Sequence, residues 1–212
     1  MEPLIRPLPP DWATVCLEKL ARLSSGYSGA SETGGRPDER GRPLIKPSHI
    51  DDGDIIERDI EYVRTTSRRS AESLELAVGD ILISRVATIG HIALVRAKHH
   101  GWLFSSGLIR IRVKSSTITP EYLHHYLRLP VVRKWLDHHA TGTAMRSISA
   151  ELLRGLPVSV PPLDVQSQIT EMLDGLDAQI RAHRSVVDAA TRLRSSMGLS
   201  LMTGTLRVSP SP

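Results

Sequence analysis

The feature that most constrains the fold is a proline-free stretch of about 40 residues near the C-terminus. It follows Pro161-Pro162, whose rings force an extended entry, and it runs to Gly204. As a helix rising about 1.5 Å per residue it would be about 60 Å long, which exceeds the diameter of a compact domain of this size. The sequence therefore predicts one long helix attached to a compact body whose diameter is less than the length of the helix.

One face of this predicted helix carries apolar residues, mostly at spacings of three and four, as in a coiled coil. The members of this apolar stripe are Ile169, Leu173, Leu176, Ile180, Val187, Ala190, Leu193, Met197 and Leu201. His183 interrupts the stripe, and Gly175 and Gly198 weaken the helix locally. The alternative is a helix that lies back on its own domain, but the apolar length exceeds what a small body can cover. The stripe favours pairing with a partner helix.

The rest of the chain contains several short strand-like pieces separated by turn residues. These pieces lie at 43–47, 59–63, 78–84, 89–95 and 108–113. In the last piece Ile109, Ile111 and Val113 alternate with Arg110 and Arg112, which is the period of a half-buried strand. We expect the three apolar side chains to face the core and the two arginines to face outward.

Three short helices are predicted between these strands and the long helix. Thr119 is a helix N-cap followed by Pro120 at the first helical position, and Pro130 ends that helix. A second helix carries Val132, Trp135 and Leu136, and a third is capped by Ser149 and stopped by Gly155. The predicted fold class is α+β. The predicted divisions are a mixed body at 1–160, a long dimerisation helix at 161–205 and a tail at 206–212.

Composition places the chain among ordinary globular proteins. Apolar residues make up 40% of the 212 residues and charged residues 24%. The segment before Trp12 contains prolines where a signal peptide would have an apolar stretch. No apolar run is long enough for a membrane span. Cys16 is the only cysteine, so an internal disulfide is excluded and a reducing compartment is favoured. We therefore expect a cytoplasmic protein that does not bind membranes.

Six phrases of the sequence are informative when they are taken together. In chain order they are LPPDW, GRPLIKPSHIDDGDI, GDILISRVATIGHIALV, PEYLHHYL, LPVSVPPLDVQSQITEMLDGLDAQI and LMTGTLRV. In this order they resemble the specificity subunit of type I restriction-modification enzymes over nearly the whole chain. The most specific phrases are the junction of Pro161, Pro162, Leu163 and Gln166, which leads into the long helix, and the closing phrase at 203–208.

The resemblance implies a half-length form of this subunit. Members of the family carry two target recognition domains and two long helices that pair as an antiparallel coiled coil, whereas this sequence has one of each. The simplest implication is a homodimer paired through the helix, with two-fold symmetry that matches two inverted half-sites. A pair with a different specificity chain is the alternative.

The resemblance also implies recognition of double-stranded DNA without catalysis and without a cofactor. It implies a complex with a type I modification (methyltransferase) subunit and a restriction subunit. In this complex an adenine of a bipartite target is flipped into the methyltransferase pocket and methylated at N6. One alternative is a truncated regulatory or structural chain that assembles with the methyltransferase. Another is a DNA-reading module borrowed by a different anti-phage defence system.

Candidate DNA contacts lie in polar segments between the predicted elements. The net charge is +4, and most of the 27 basic residues are Arg, whose planar fork suits phosphates and guanine edges. The candidates are Tyr27, Arg36, Arg40 and Arg42 in a Gly-rich loop; Arg64, Arg68 and Arg69; Ser84, Arg85 and Thr88 in a turn between strands; and Thr141, Thr143 and Arg146. For each segment the alternative is an ordinary solvated connection.

Other chemistry is not indicated by the motifs. The sequence has no phosphate-binding loop ending in Gly-Lys-Ser/Thr, and no Asp or Asn directly before Pro-Pro as in amino-methyltransferases. The histidine pairs at 99–100, 124–125 and 138–139 lack the spacing of a zinc site. The aspartates at 51, 52 and 54 lack the terminal Glu of a calcium loop. We therefore expect no catalytic residue and no metal site.

Overall fold

A computed structural model describes residues 2–5, 7–27, 41–51, 53–63, 74–86, 89–140 and 147–207. The strands are β1 Ala13–Cys16, β2 Ala21–Ser25, β3 Arg42–Ile45, β4 Ile50–Asp51, β5 Asp54–Ile55, β6 Glu61–Val63, β7 Ile81–Ser84, β8 Ile92–Leu94, β9 Leu103–Phe104, β10 Leu108–Val113 and β11 Pro157–Val160. The α-helices are α1 Leu17–Leu20, α2 Pro120–Leu127, α3 Pro130–His139, α4 Ala150–Arg154 and α5 Leu163–Met202. The α+β prediction is confirmed.

The chain divides into two compact units, Met1–Gln168 and Ile169–Pro212. We call the first unit the body and the second the helical unit. The body contains all of the strands named above and the first turns of α5, and the helical unit contains the rest of that helix.

The main sheet of the body has four strands in the order β2-β10-β7-β8, and neighbouring strands are antiparallel. A second sheet has the order β6-β3-β9, in which β3 and β9 are parallel. A separate antiparallel pair joins β1 to β11, the strand just before the long helix. A turn around Gly53 joins β4 to β5, and Gly53 there has a φ of 98°.

Strand β10 alternates as predicted but is covered on both faces. Ile109 and Ile111 are fully buried, in agreement with the prediction that they face the core. Arg110 is also buried, with 9% exposure, so the expectation that it faces solvent is wrong. Its guanidinium lies 5.3 Å from the centre of the Phe104 ring and donates to the carbonyl oxygen of Glu75 at 2.8 Å. The backbone of Glu75 therefore covers the face of β10 that the alternation predicted to be exposed to solvent.

A buried ion pair holds the next arginine of the same strand. The carboxylate of Asp80 is 1% exposed and accepts hydrogen bonds from Nε and Nη2 of Arg112, each at 2.6 Å. It also accepts the backbone N–H of Ala77 at 2.8 Å, and Arg112 Nη2 donates to the carbonyl of Glu75 at 3.1 Å. The hydrogen bond to Asp80 raises the pKa of Arg112, whereas burial lowers the pKa of Arg110. Strand β10 is thus tied to residues 75–80 by charged hydrogen bonds.

Two of the three short helices begin at the caps that the sequence predicts. Thr119 Oγ1 accepts the N–H of Tyr122 at 3.3 Å, and Ser149 Oγ accepts the N–H of Leu152 at 3.0 Å. Pro130 starts α3 immediately after α2 has ended. Helix α2 packs on β11, because the hydroxyl of Tyr122 donates to the carbonyl of Ser159 at 2.8 Å. The predicted helix starts and stops are confirmed.

Gln166, part of the proline-proline junction singled out in the sequence, is fully buried in the body. Its Nε2 donates to the carbonyls of Thr117 and Pro161, each at 2.8 Å, and its Oε1 accepts the N–H of Thr119 at 2.9 Å. One amide therefore satisfies three backbone groups and joins the first turn of α5 to the loop before α2. This contact explains why the body extends past the proline pair into α5.

Replacing Gln166 by leucine should lower the free energy of unfolding by about 2–3 kcal/mol, because three backbone groups lose their buried partner. Equilibrium urea unfolding of the full chain measures this change. Gln168→Leu is the matched control, since Gln168 is exposed on the same helix. Equal destabilisation by both substitutions would contradict the role assigned to Gln166.

Helix α5 is continuous from Leu163 to Met202, as the proline-free stretch predicts. Much of the apolar stripe is exposed in this single chain, with Leu176 at 55% and Ile180 at 47% exposure. Val187, Leu193 and Met197 continue the exposed part of the stripe. None of the described helices combines the length and the hydropathy that crossing a membrane requires.

Candidate nucleic-acid interface

Several polar segments meet at one end of the four-stranded sheet, which we call the loop end. At this end β2 finishes at Ser25, β7 finishes at Ser84 and β10 begins at Leu108. A tight turn at 105–107 joins β9 to β10 at the same place. The segments that leave these strand ends therefore start from positions that are held by hydrogen bonds within the sheet.

Tyr27 is anchored at the loop end by its backbone. Its N–H donates to the carbonyl of Phe104 at 2.8 Å, and its carbonyl accepts the N–H of Ser106 at 2.8 Å. The preceding Gly26 is required by this close approach, since a Cβ there would lie 2.2 Å from the carbonyl oxygen of Ser105. The half-buried Tyr27 ring packs against a small core cluster that includes Leu44. The chain enters 28–40 directly from this anchor.

Arg85 is anchored on the other side of the same turn. Its N–H donates to the carbonyl of Gly107 at 3.0 Å, and its carbonyl accepts the N–H of Ile148 at 3.1 Å. The side chain is half-buried, and its Nε has no hydrogen-bond partner among the described residues. The second of these backbone contacts places Ile148 beside this turn.

Ser84 lies next to Arg85 but is fully buried. Its Oγ donates to the carbonyl of Val86 at 2.9 Å, and its backbone carbonyl accepts the N–H of Gly90 at 3.0 Å. Both bonds close the turn between β7 and β8. This burial argues against the DNA contact expected for Ser84, and we assign the residue a structural role in the turn.

Arg42 is not brought to the loop end. It begins β3 opposite Val63, whereas the end of that strand, Ile45, accepts the N–H of Ser105 at 2.9 Å. At about 3.3 Å per residue this separates Arg42 from the loop end by about 10 Å. Arg42 forms an ion pair with the carboxylate of Glu75. Part of its positive charge is therefore balanced within the body.

The other predicted contacts lie outside the described residues. They are Arg36, Arg40, Arg64, Arg68, Arg69, Thr88, Thr141, Thr143 and Arg146. Their described flanking residues show where each segment is attached. Tyr27 precedes 28–40, Val86 precedes 87–88, and Ile148 after 141–146 bonds to Arg85. Val63, before 64–73, pairs with Arg42 away from the loop end.

One part of the loop end was missed by the sequence analysis. The turn at Ser105, Ser106 and Gly107 lies between Tyr27 and Arg85, and Ser106 is exposed. Gly107 packs closely, because a Cβ there would lie 2.7 Å from Cγ of Pro47. The Ser-Ser-Gly sequence between two apolar strands is a turn signal that could have identified it. The loop end thus offers a guanidinium, a phenol and a hydroxyl on closely packed backbone, which suits hydrogen bonds to phosphates and base edges.

Comparison with known proteins gives one consistent result. The family model "Type I restriction modification DNA specificity domain" matches residues 9–187. The chain is 25% identical over 202 residues to the putative type I restriction enzyme MjaX specificity subunit of Methanocaldococcus jannaschii, covering 92% of this chain and 46% of that protein. It is 23% identical over 203 residues to the type I restriction enzyme EcoBI specificity subunit of Escherichia coli, covering 94% and 42%.

Solved structures of similar fold agree. The crystal structure of the HsdS subunit from Thermoanaerobacter tengcongensis matches with a TM-score of 0.63 and 22% identity, over 84% of this chain and 41% of that chain. A chain from a structural study of the assembly and conformational transition of the type I R-M system matches with a TM-score of 0.68 and 21% identity, over 90% and 45%. The chain spans less than half of the length of each of these proteins.

Proposed function

We propose the following function for this chain, which belongs to the type I restriction-modification DNA specificity family because the family model matches residues 9–187. Specificity subunits are the non-catalytic DNA-recognition components of these systems. The proposal is that this chain reads a DNA sequence through its body and directs a partner adenine-N6 methyltransferase to it. A restriction subunit acts on the same assembly.

The observation that carries this proposal is the position of Tyr27, Arg85 and the turn at 105–107 together at the loop end. Tyr27 and Arg85 are fixed by backbone hydrogen bonds on either side of one tight turn. Rigid support of this kind favours base reading, because the side chains lose less freedom on binding. We assign base or phosphate contacts to Tyr27, Arg85 and the predicted residues in 28–40, 64–73, 87–88 and 141–146. For Arg42, which pairs with Glu75, we propose a contact to phosphate at the rim only.

Pairing of two copies through α5 is the second part of the proposal. The exposed apolar stripe has the spacing of a coiled coil, and one chain offers one such helix. Two copies related by a two-fold axis would present two loop ends to inverted half-sites at a fixed separation. A bipartite target follows from this geometry. Pairing with a different specificity chain is the alternative outcome.

Docking of the methyltransferase subunit is supported by additional exposed apolar residues on α5. Met172 and Val186 directly precede the stripe members Leu173 and Val187, and both are exposed. They widen the apolar face beyond the seam of a two-stranded coiled coil, so that a further helix can pack beside it. We assign this wider face to the modification subunit, which flips the target adenine into its own pocket.

The test is co-purification with the methyltransferase encoded beside this chain, followed by single-molecule sequencing of the host DNA for methylated adenines. A bipartite methylated motif that disappears when the chain is deleted is the expected result, and a palindromic motif indicates a homodimer. Unchanged methylation with no co-purifying methyltransferase would overturn the proposal. It would point to a regulatory remnant or to a module of another defence system.

Arg85→Ala should weaken binding to the methylated motif by about 1–3 kcal/mol, which is roughly 5-fold to 150-fold, if Arg85 reads a base edge. Fluorescence anisotropy with a duplex that contains the motif measures the dissociation constant. Arg22→Ala is the matched control, because Arg22 is exposed and pairs with Arg112 towards the opposite end of β10. Unchanged affinity of the Arg85 variant would remove this residue from the reading set.

A further inference from the structure

We propose that the exposed face of α3 is a second DNA-contacting surface, which binds phosphates through Arg133 and Lys134. This inference rests on the proposed function and adds a contact surface outside the loops. The sequence alone draws attention to arginines in loops, where backbone freedom is greatest. Helix α3 offers two adjacent cations on a fixed scaffold.

The fold orients these two side chains outward. Helix α3 buries Val132 and Leu136 against the body, which leaves Arg133 and Lys134 exposed. Pro130 at the first helical position fixes the start of the helix, and the ring of Trp135 stacks on that of His139 at 4.3 Å. The cations are therefore held on a short, well-anchored helix.

Helix α3 also lies beside the loop end. Cδ1 of Leu136 is 3.6 Å from the position that a Cβ on Gly90 would occupy, and Gly90 closes the turn that contains Arg85. After α3 the chain passes through 141–146 and returns at Ile148, which donates to the carbonyl of Arg85. The contact of Leu136 with Gly90 and the bond of Ile148 to Arg85 therefore make α3 a direct neighbour of the turn that we propose reads bases.

The chemistry of this face fits phosphate better than a base edge. Lys134 is a point charge without the planar fork that reads guanine, and a helix flanking a reading turn contacts the backbone that borders the bases read. The helix has a single acidic residue, Asp137, which is half-buried, so its exposed cations dominate its surface. Contacts of this kind add affinity to every sequence and set the position of the body on the duplex.

The test measures how salt weakens binding of the full chain to a short duplex of mixed sequence. Each phosphate contact contributes about 0.9 to the slope of log K against log salt. The double variant Arg133→Gln with Lys134→Gln should therefore lower the slope by about 1.8. The ratio of motif binding to mixed-sequence binding should remain unchanged. The charge-conserving variant Arg133→Lys with Lys134→Arg should keep the full slope.

The matched control is Arg22→Gln with Lys114→Gln, which removes two exposed cations near the opposite end of β10 and should leave the slope unchanged. If the wild-type chain binds DNA and the α3 variant keeps the full slope, the inference fails and the proposed function stands. If the control lowers the slope as much as the α3 variant, the effect is one of net charge and the inference fails. If the wild-type chain does not bind DNA at the lowest salt, the proposed function fails and the inference with it.

Discussion

If two copies pair through α5 as proposed, Leu176→Asp combined with Ile180→Asp should convert the chain from a dimer to a monomer. Both side chains lie on the exposed apolar stripe of α5, with 55% and 47% exposure in the single chain. In a paired seam each aspartate would be enclosed by apolar side chains, and burial of an unpaired carboxylate costs several kcal/mol. Two substitutions per chain place four carboxylates in one dimer, which exceeds what a seam of this length can offset. Sedimentation equilibrium or light scattering measures the mass.

A matched control separates loss of pairing from damage to the helix. Ala178→Asp with Ala182→Asp adds the same charge to the same turns, but on the side of the helix away from the stripe. This variant should remain a dimer. A wild-type chain that is monomeric at all concentrations, or a stripe variant with unchanged mass, would exclude self-pairing through this face. The co-expressed methyltransferase or a second specificity chain would then be the partner to test.

The second large effect is expected at Asp80. Asp80→Ala should lower the free energy of unfolding of the full chain by about 3 kcal/mol, because Arg112 and the N–H of Ala77 lose their shared partner. The side chain of Arg112 is 41% exposed, so water compensates part of the loss and the effect stays at the lower end for buried ion pairs. Equilibrium urea unfolding measures the change.

Two further variants make the test of Asp80 specific. Glu151→Ala removes an exposed carboxylate paired with Arg154 and should change stability by less than about 1 kcal/mol. Asp80→Ala combined with Arg112→Met removes both charges of the buried pair and should recover part of the loss, since no charge is then left uncompensated. Equal effects of Asp80→Ala and Glu151→Ala would show that burial does not strengthen this pair.

The loop end and the charged network occupy different parts of the body. Residues 75–80 tie to β10 through Arg110 and Arg112, whereas Tyr27 and Arg85 flank the turn at 105–107. Charged groups buried in the body therefore stabilise the scaffold, and they are separate from the side chains at the loop end that we propose to contact DNA. Arg42 belongs partly to each set, because it was predicted as a DNA contact and pairs with Glu75.

The sequence alone was sufficient for features governed by near neighbours along the chain. The caps at Thr119 and Ser149 and the proline at 130 set helix ends through contacts within a few residues. The long helix follows from a proline-free stretch with apolar spacing of three and four. The placement of Arg85 in a turn between two strands follows from the short apolar runs on either side.

Only the tertiary structure decided which polar side chains are available for binding. Arg110 lies in an alternating strand, but the carbonyl of Glu75, 35 residues away in the sequence, covers its face of the sheet. Ser84 lies next to the turn that contains Arg85 and yet is fully buried, and Arg42 is neutralised in part by Glu75. Burial and pairing depend on which distant segment crosses a surface, and local periodicity contains no information about that segment. For the same physical reason the sequence could name Tyr27 and Arg85 only as separate candidates. The strand pairing places them on either side of one turn.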